Sequence, residues 1–396
     1  MLRKTFAVFA VLVLLPALVV AGQPNRNAGK PAQRVDKETL AVRLRAATRQ
    51  RHGTGIEKSK TDRQDGDVKS FPHFASSFTV GGHNAFTGQT VPFTMVGFPP
   101  DSGKTATFRS VIVPLRMNFV FFGPGLDRVF EPTRAVNNIV ASPLFNDAQF
   151  VNGTGQFVDQ MQRATFWNKM DARRRWHVIM DRPRVAKPVT IEVTPEIGAL
   201  FQISDDPNDL IGEILFDAMD SQIHTILQFM DIKPDELPIF VTDSVFNEAL
   251  GYHDAFSVQN DDRTETLQTF IFTSWFSAEQ LGDLLADVST INHELGEWAN
   301  DPFVNNVVPT WRYPPEDDPR AECSFNPFLE VGDPQGNGPT FDDFPTIVVP
   351  LNGFKYHFQQ LVMLPWFADE SPSSALNGWY TFPDPSSLRE PAVYCQ

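Results

Sequence analysis

The chain has 396 residues, with 33 Lys+Arg against 48 Asp+Glu, a formal charge of -15, 42% hydrophobic residues and 2 Cys. That length suits one large domain or two medium ones and allows a substantial core. The acidic excess excludes general binding to a nucleic-acid backbone, which needs clustered Lys and Arg. The 35 Phe and 32 Pro beside 5 Tyr point to a loop-rich, β-containing protein and exclude collagen-like, coiled-coil and disulfide-dense classes.

Arg3 and Lys4 precede an apolar run from Phe6 to Ala21, interrupted by Pro16 and ending in Val19-Val20-Ala21-Gly22. This has the layout of a cleaved secretory leader over 1–22, too short to span a bilayer. The expected location is therefore periplasmic or extracellular, without stable membrane insertion once the leader is removed. In an oxidising compartment Cys323 and Cys395 are expected to form a disulfide. Residues 23–70 contain no Phe, Trp or Tyr and carry 12 Lys+Arg against 6 Asp+Glu. They read as a disordered basic linker or pro-segment, because such a composition cannot build a core.

From Phe71 to about Pro207 short apolar runs separated by Gly and Pro predict strands at Phe78–Val80, Val91–Val96, Ala106–Val113, Met117–Phe122, His177–Met180 and Val189–Val193. A helix is expected over Gly155–Met170, with Phe157, Met161, Ala164 and Trp167 on its core side. Recurrence of Ile211, Leu215, Met219, Ile223, Ile226 and Met230 predicts a second helix over Asn208–Met230. Strands are then expected at Leu237–Thr242 and Leu267–Trp275, joined by a polar loop containing Gly251-Tyr252-His253.

Ser277 opens and Pro302 ends a third expected helix. Leu281, Leu284, Leu285, Val288, Ile291, Leu295 and Trp298 fall on one of its sides. His293, Glu297 and Asp301 fall at i, i+4 and i+8 on the other, with Glu294 beside them. An imidazole and a carboxylate one turn apart can share a divalent ion, and an adjacent glutamate can take a proton from water. Two such donors need at least one more. Glu330 and Asp333, in the turn-like Leu329-Glu330-Val331-Gly332-Asp333-Pro334, or Asp301 at the end of the helix itself, are the candidates, and His253 is a further one. The oxygen-rich set suits Zn2+, with Ca2+ as the alternative. A solvated acidic helix face with a surface histidine is the competing reading of the same pattern.

The runs IFVTDSV, GYH, FIFTSW, INHELGEWANDPFVNN and LEVGDP, from Ile239 to Asp333, resemble uncharacterised secreted bacterial proteins with a His-Glu-x-x-Glu helix followed by Asp-Pro and a later Gly-Asp. More distantly they are similar to exordium-like, phosphate-induced proteins. The catalytic analogy is to zincin metallopeptidases, whose His-Glu-x-x-His helix supplies two zinc ligands and a general base. It carries over to His293 and Glu297 as ligands and to Glu294 as base.

The expected fold is α+β: a β-rich module over 71–207, then a zincin-like domain over 208–396, a small mixed sheet on two long helices with a C-terminal extension. The expected function is a secreted metal-dependent, peptidase-like hydrolase acting on a peptide or cell-surface polymer. The alternative is a non-catalytic extracellular binding or wall-associated protein on the same scaffold, stabilised by calcium.

Overall fold

The computed structural model describes residues 32–35, 71–259, 265–314, 317, 321–324, 327–336 and 345–395. The expected leader and all of 23–70 except 32–35 lie outside them. Within that stretch Gln33 and Arg34 pair in parallel with Phe201 and Gln202.

In chain order the elements that matter are β1 (His73–Thr79), β2 (Thr90–Val96), β3 (Thr105–Phe119), α1 (Phe157–Thr165), β4 (His177–Met180), β5 (Val189–Val193), β6 (Gly198–Gln202), β7 (Leu210–Ile214), α2 (Phe216–Phe229), β8 (Glu236–Asp243), β9 (Gly251–Gln259), β10 (Glu265–Trp275), α3 (Ser289–Asn300), β11 (Thr346–Leu351) and β12 (Phe354–Gln359). The fold is α+β. The backbone of its principal sheet runs β5–β3–β8–β10–β9; these pairings are parallel except that of the edge strand β9, which is antiparallel to β10, and Arg128–Phe130 adds a short antiparallel pairing to β3. β3 and β5 come from the expected first module and the other three strands from the second, so one sheet draws on both segments.

Period-two alternation decides which helix covers which face. Val111, Val113, Leu115, Phe240, Phe270 and Phe272 pack with Met219, Ile223, Ile226 and Leu227 of α2. Their sequence neighbours Ile112, Ile239, Val241 and Ile271 pack with Ile291, Leu295 and Trp298 of α3. The two long helices thus cover opposite faces of the sheet. Burying each of these large apolar side chains contributes about 1.5–3 kcal/mol.

Several expected boundaries move. The strands expected on either side of Pro114 form one strand, β3, whose neighbours change at that point. Val111 and Ile112 pair with Arg184 and Val185, whereas pairing with β5 begins at Leu115 opposite Val189. The missing proline N–H therefore falls near a change of partner strand. The helix expected over Asn208–Met230 starts only at Phe216, because Leu210–Ile214 pairs with β6 as a strand. The loop expected around His253 is edge strand β9. The helix expected from Ser277 breaks at Gly282 (φ 81°) and Asp287 (φ 42°), leaving a short helix at Ala278–Leu281 and a separate α3.

Beyond α3 the chain folds back over the helix. Cys323 and Cys395 are disulfide-bonded with Cα atoms 6.0 Å apart. The link joins segments already bridged by Arg312 with Cys323 and by Trp311 with Tyr394. Among the described residues no helix is long and apolar enough to cross a membrane.

The disulfide closes a sequence separation of 72 residues. Replacing both cysteines by alanine is expected to cost about 4 kcal/mol by the loop-entropy relation, read as a lower urea midpoint with a steeper dependence on denaturant, because the released unfolded chain exposes more surface.

Candidate metal centre

Three pieces of chain deliver ionisable groups to one buried place. α3 is the first, and it is buried all round, with only His293 partly open to solvent. Its apolar side meets the sheet through Ile291, Leu295 and Trp298, and Trp298 Nε1 donates to Thr269 Oγ1 at 3.1 Å. The edge strand β9 is the second. His253 lies directly opposite Ile271, whose side chain faces α3, so the pleat directs the imidazole towards the helix. Tyr252, opposite Phe272, points to the α2 face instead. The third piece is the segment Leu329–Asp333, whose Leu329 and Val331 are fully buried anchors. Leu329 N donates to Asn306 O at 3.0 Å, and Val362 N to Val331 O at 2.8 Å.

Two glycines make the approach possible. A Cβ at Gly251 would lie 2.8 Å from Glu294 Cγ and Oε1. One at Gly332 would lie 2.4 Å from His293 Nδ1. Strand and loop both pass closer to the helix than a side chain permits.

Around α3 the donor atoms are arranged with both imidazoles in a defined tautomer. Gln359 Nε2 donates to Gly332 O at 2.7 Å, and a backbone carbonyl can only accept, so Gln359 Oε1 is left to accept from His293 Nδ1 at 2.9 Å. His293 Nε2 consequently faces Glu297 Oε1 at 3.0 Å and Asp333 Oδ1 at 3.6 Å. His253 follows the same logic: Nε2 donates to the carbonyl of Asp301 at 3.2 Å, and Nδ1 faces Glu294 Oε2 and Glu297 Oε2, each at 3.6 Å. Glu330 Oε2 lies 3.9 Å from His253 Nε2. A neutral acceptor holding one ring nitrogen while the other is aimed at carboxylates is how a metal-ligating histidine is oriented.

Burying this much charge shifts the titration of the groups. For His253, burial pulls the pKa down, but the Glu294 hydrogen bond and the charges of Glu297, Glu294 and Asp301 outweigh it and raise it to about 9. His293 is likewise carried well above its ordinary value, burial being outweighed chiefly by Glu297. Burial first, and repulsion from Glu297, Asp301, Asp333 and Glu294 second, push Glu330 well above the usual carboxylate range. Asp301 is raised to about 7 mainly by burial, against the hydrogen bond from the Asn305 N–H.

His293, Glu297 and Asp333 offer one donor atom each with all three within 4.8 Å of one another, and so do His253, Glu297 and Glu330. Asp301 is placed otherwise. Its carboxylate accepts from the N–H groups of Asn305 and Asn306, turning the chain after the helix, and it is its carbonyl that reaches His253. Glu294 is 3% exposed and turned towards His253. The competing picture of a solvated acidic face does not describe α3, since Glu297 and Asp301 are both fully buried. Gln359, which orients His293, carries no sequence signal; only the docking of β12 beside α3 reveals it.

The shifts set the pH dependence of the cation-free protein. Raised pKa values mean that the folded state binds protons more tightly than the unfolded chain, so stability falls as pH rises. The contribution of Asp301 declines from its ordinary 3.8 to about 7, and that of His253 from 6.5 to about 9. Thermal unfolding of chelator-treated protein is therefore expected at progressively lower temperature between about pH 5 and pH 9, whereas added Zn2+ gains effect over the same range because it needs deprotonated donors. Replacing Gln359 by leucine removes the acceptor that fixes His293 and is expected to weaken cation affinity about 10–100-fold, measured by calorimetric titration.

Comparison with protein-family models, curated proteins and solved structures gives no match to this chain.

Proposed function

We propose that this chain is an exported metalloprotein whose C-terminal half is zincin-like and whose donors His293, Glu297 and Asp333 hold a divalent cation for hydrolysis of a peptide-like bond. One observation carries the reading. An imidazole and a carboxylate one helical turn apart are joined by a carboxylate from a distant loop, with the ring held in the ligating tautomer by Gln359. The disulfide and the leader-like N-terminus support an oxidising, non-cytosolic location.

A nitrogen donor beside carboxylates favours a zinc-type ion over calcium, which takes six to eight oxygens. Such a cation supplies Lewis acidity, polarising a carbonyl and bringing the pKa of water towards neutrality. The side chain of His293, 12% exposed, is the least buried of the donors and marks the side from which a substrate would approach. Glu294 is the residue on the helix suited to take up the proton, and to do so its carboxyl must turn from His253.

That requirement favours a second reading. Glu294 is packed beneath Gly251 and is 3% exposed, an arrangement suited to a cation that holds sheet, helix and loop together in a non-catalytic extracellular or wall-associated binding protein. Glu294→Gln separates the two. In the hydrolase, the wild type cleaves a peptide library and the variant retains its metal while losing at least about 100-fold in rate. If wild type and variant both hold metal and neither cleaves, the structural role stands and the hydrolase reading fails.

A further inference from the structure

The two oxygens of Glu297 address different imidazoles. Oε1 lies 3.0 Å from His293 Nε2, and Oε2 lies 3.6 Å from His253 Nδ1. Each imidazole has its own additional carboxylate, Asp333 for His293 and Glu330 for His253, which gives two donor trios sharing one residue. The second trio is not needed by the site proposed above, and its histidine lies deeper: the side chain of His253 is 2% exposed against 12% for His293, while Glu330 and Asp333 are equally buried. Glu330 Oε2 is buried without a hydrogen-bond partner and directed at the His253 ring, and Glu294 Oε2, buried on the other side of that ring, is met only by His253 Nδ1 at 3.6 Å. Such atoms are costly to bury unless something positive meets them.

We propose that the chain binds a carboxylate-bridged pair of divalent cations: Glu297 is the bridge, His293 and Asp333 complete the first site, and His253 and Glu330, with Glu294 alongside, complete the second. The inference rests on the first site proposed above and adds the second. Charge supports two ions over one. Glu294, Glu297, Glu330 and Asp333 are four carboxylates at one buried place, and when all are ionised with both imidazoles neutral their charge equals that of two divalent cations. The carboxylate of Asp301 is already met by the backbone N–H groups of Asn305 and Asn306. With a single cation, the His253 side of the cluster would have to be neutralised by protons, on the imidazole and on Glu330, in place of a second ion. A mixture of imidazole nitrogen and carboxylate oxygen suits zinc or manganese at both positions. A bridge of this kind places two metals about 3.5–4 Å apart.

The test is the stoichiometry of the full-length chain, stripped of metal, reloaded with Zn2+ and weighed intact by native mass spectrometry. Two ions per wild-type chain are expected, falling to one in His253→Gln and in Glu330→Gln. Reloading wild type with Mn2+ is expected to give the exchange-coupled resonance of a bridged pair, a readout that needs no variant. One Zn2+ per wild-type chain, unaffected by His253→Gln, would overturn the pair and leave the single site standing. Two ions that persist in both variants, or Mn2+ spectra of isolated ions only, would place the second ion elsewhere and also overturn it. No bound ion at all would overturn the site on His293 and Glu297 as well.

Discussion

The structure turns on how several carboxylates and two imidazoles are tolerated between a helix and a sheet. In an apolar interior each ionised carboxylate carries a desolvation cost of several kcal/mol, and here they come from α3 and from the loop ending at Asp333. The tolerance is built in layers. Asp301 is satisfied by backbone N–H groups, the imidazoles are each held through one nitrogen by a neutral acceptor, and Glu297 takes a hydrogen bond from the N–H of Gly332. What those contacts leave is a concentration of negative charge facing two ring nitrogens. A proton or a cation on each ring resolves it. The competition between the two is why charge, tautomer and ligation belong to one account.

Position in this arrangement is set by ordinary packing. Asn292 pairs through both of its side-chain atoms with the backbone of Gln359, fixing β12 to the helix at the level of His293. At the other end of α3, Asn306 pairs in the same manner with the backbone of Thr94 in β2 while its amide also donates to Asn300 O. Two buried asparagines therefore serve as short strands would, each offering a donor and an acceptor to a neighbouring main chain. They tie the hairpin β11–β12 and strand β2 to opposite ends of the helix that carries the donors.

Much of this was legible in the sequence. Short apolar runs located β2, β8 and β10 closely, since continuous stretches of Val, Ile and Phe too short for a helix read as buried strands. The spacing of His293, Glu297 and the later Glu330-x-x-Asp333 pointed to residues that do meet. The failures have local causes. Leu215 and Met219 extended a helical period backwards to Ile211, which is paired as strand. Tyr252, Asp254 and Phe256 alternate with Gly251, His253 and Ala255, yet two glycine-and-charge positions disguised an edge strand as a loop. Gln359 was invisible because its role exists only across a contact between residues 66 apart in sequence.

The position of β3 has a consequence for how the molecule can be divided. This strand precedes the donors in sequence by well over a hundred residues, yet it is paired along β8, the strand next to the one that neighbours β9. A fragment starting near 208 would keep every histidine and carboxylate named above while leaving Ile239, Phe240 and Val241 on a raw, sticky border, the kind of edge that recruits other chains. Cutting the gene at the apparent seam between its halves would thus yield an aggregating piece, and any excision that spares the sheet has to begin upstream of Thr105.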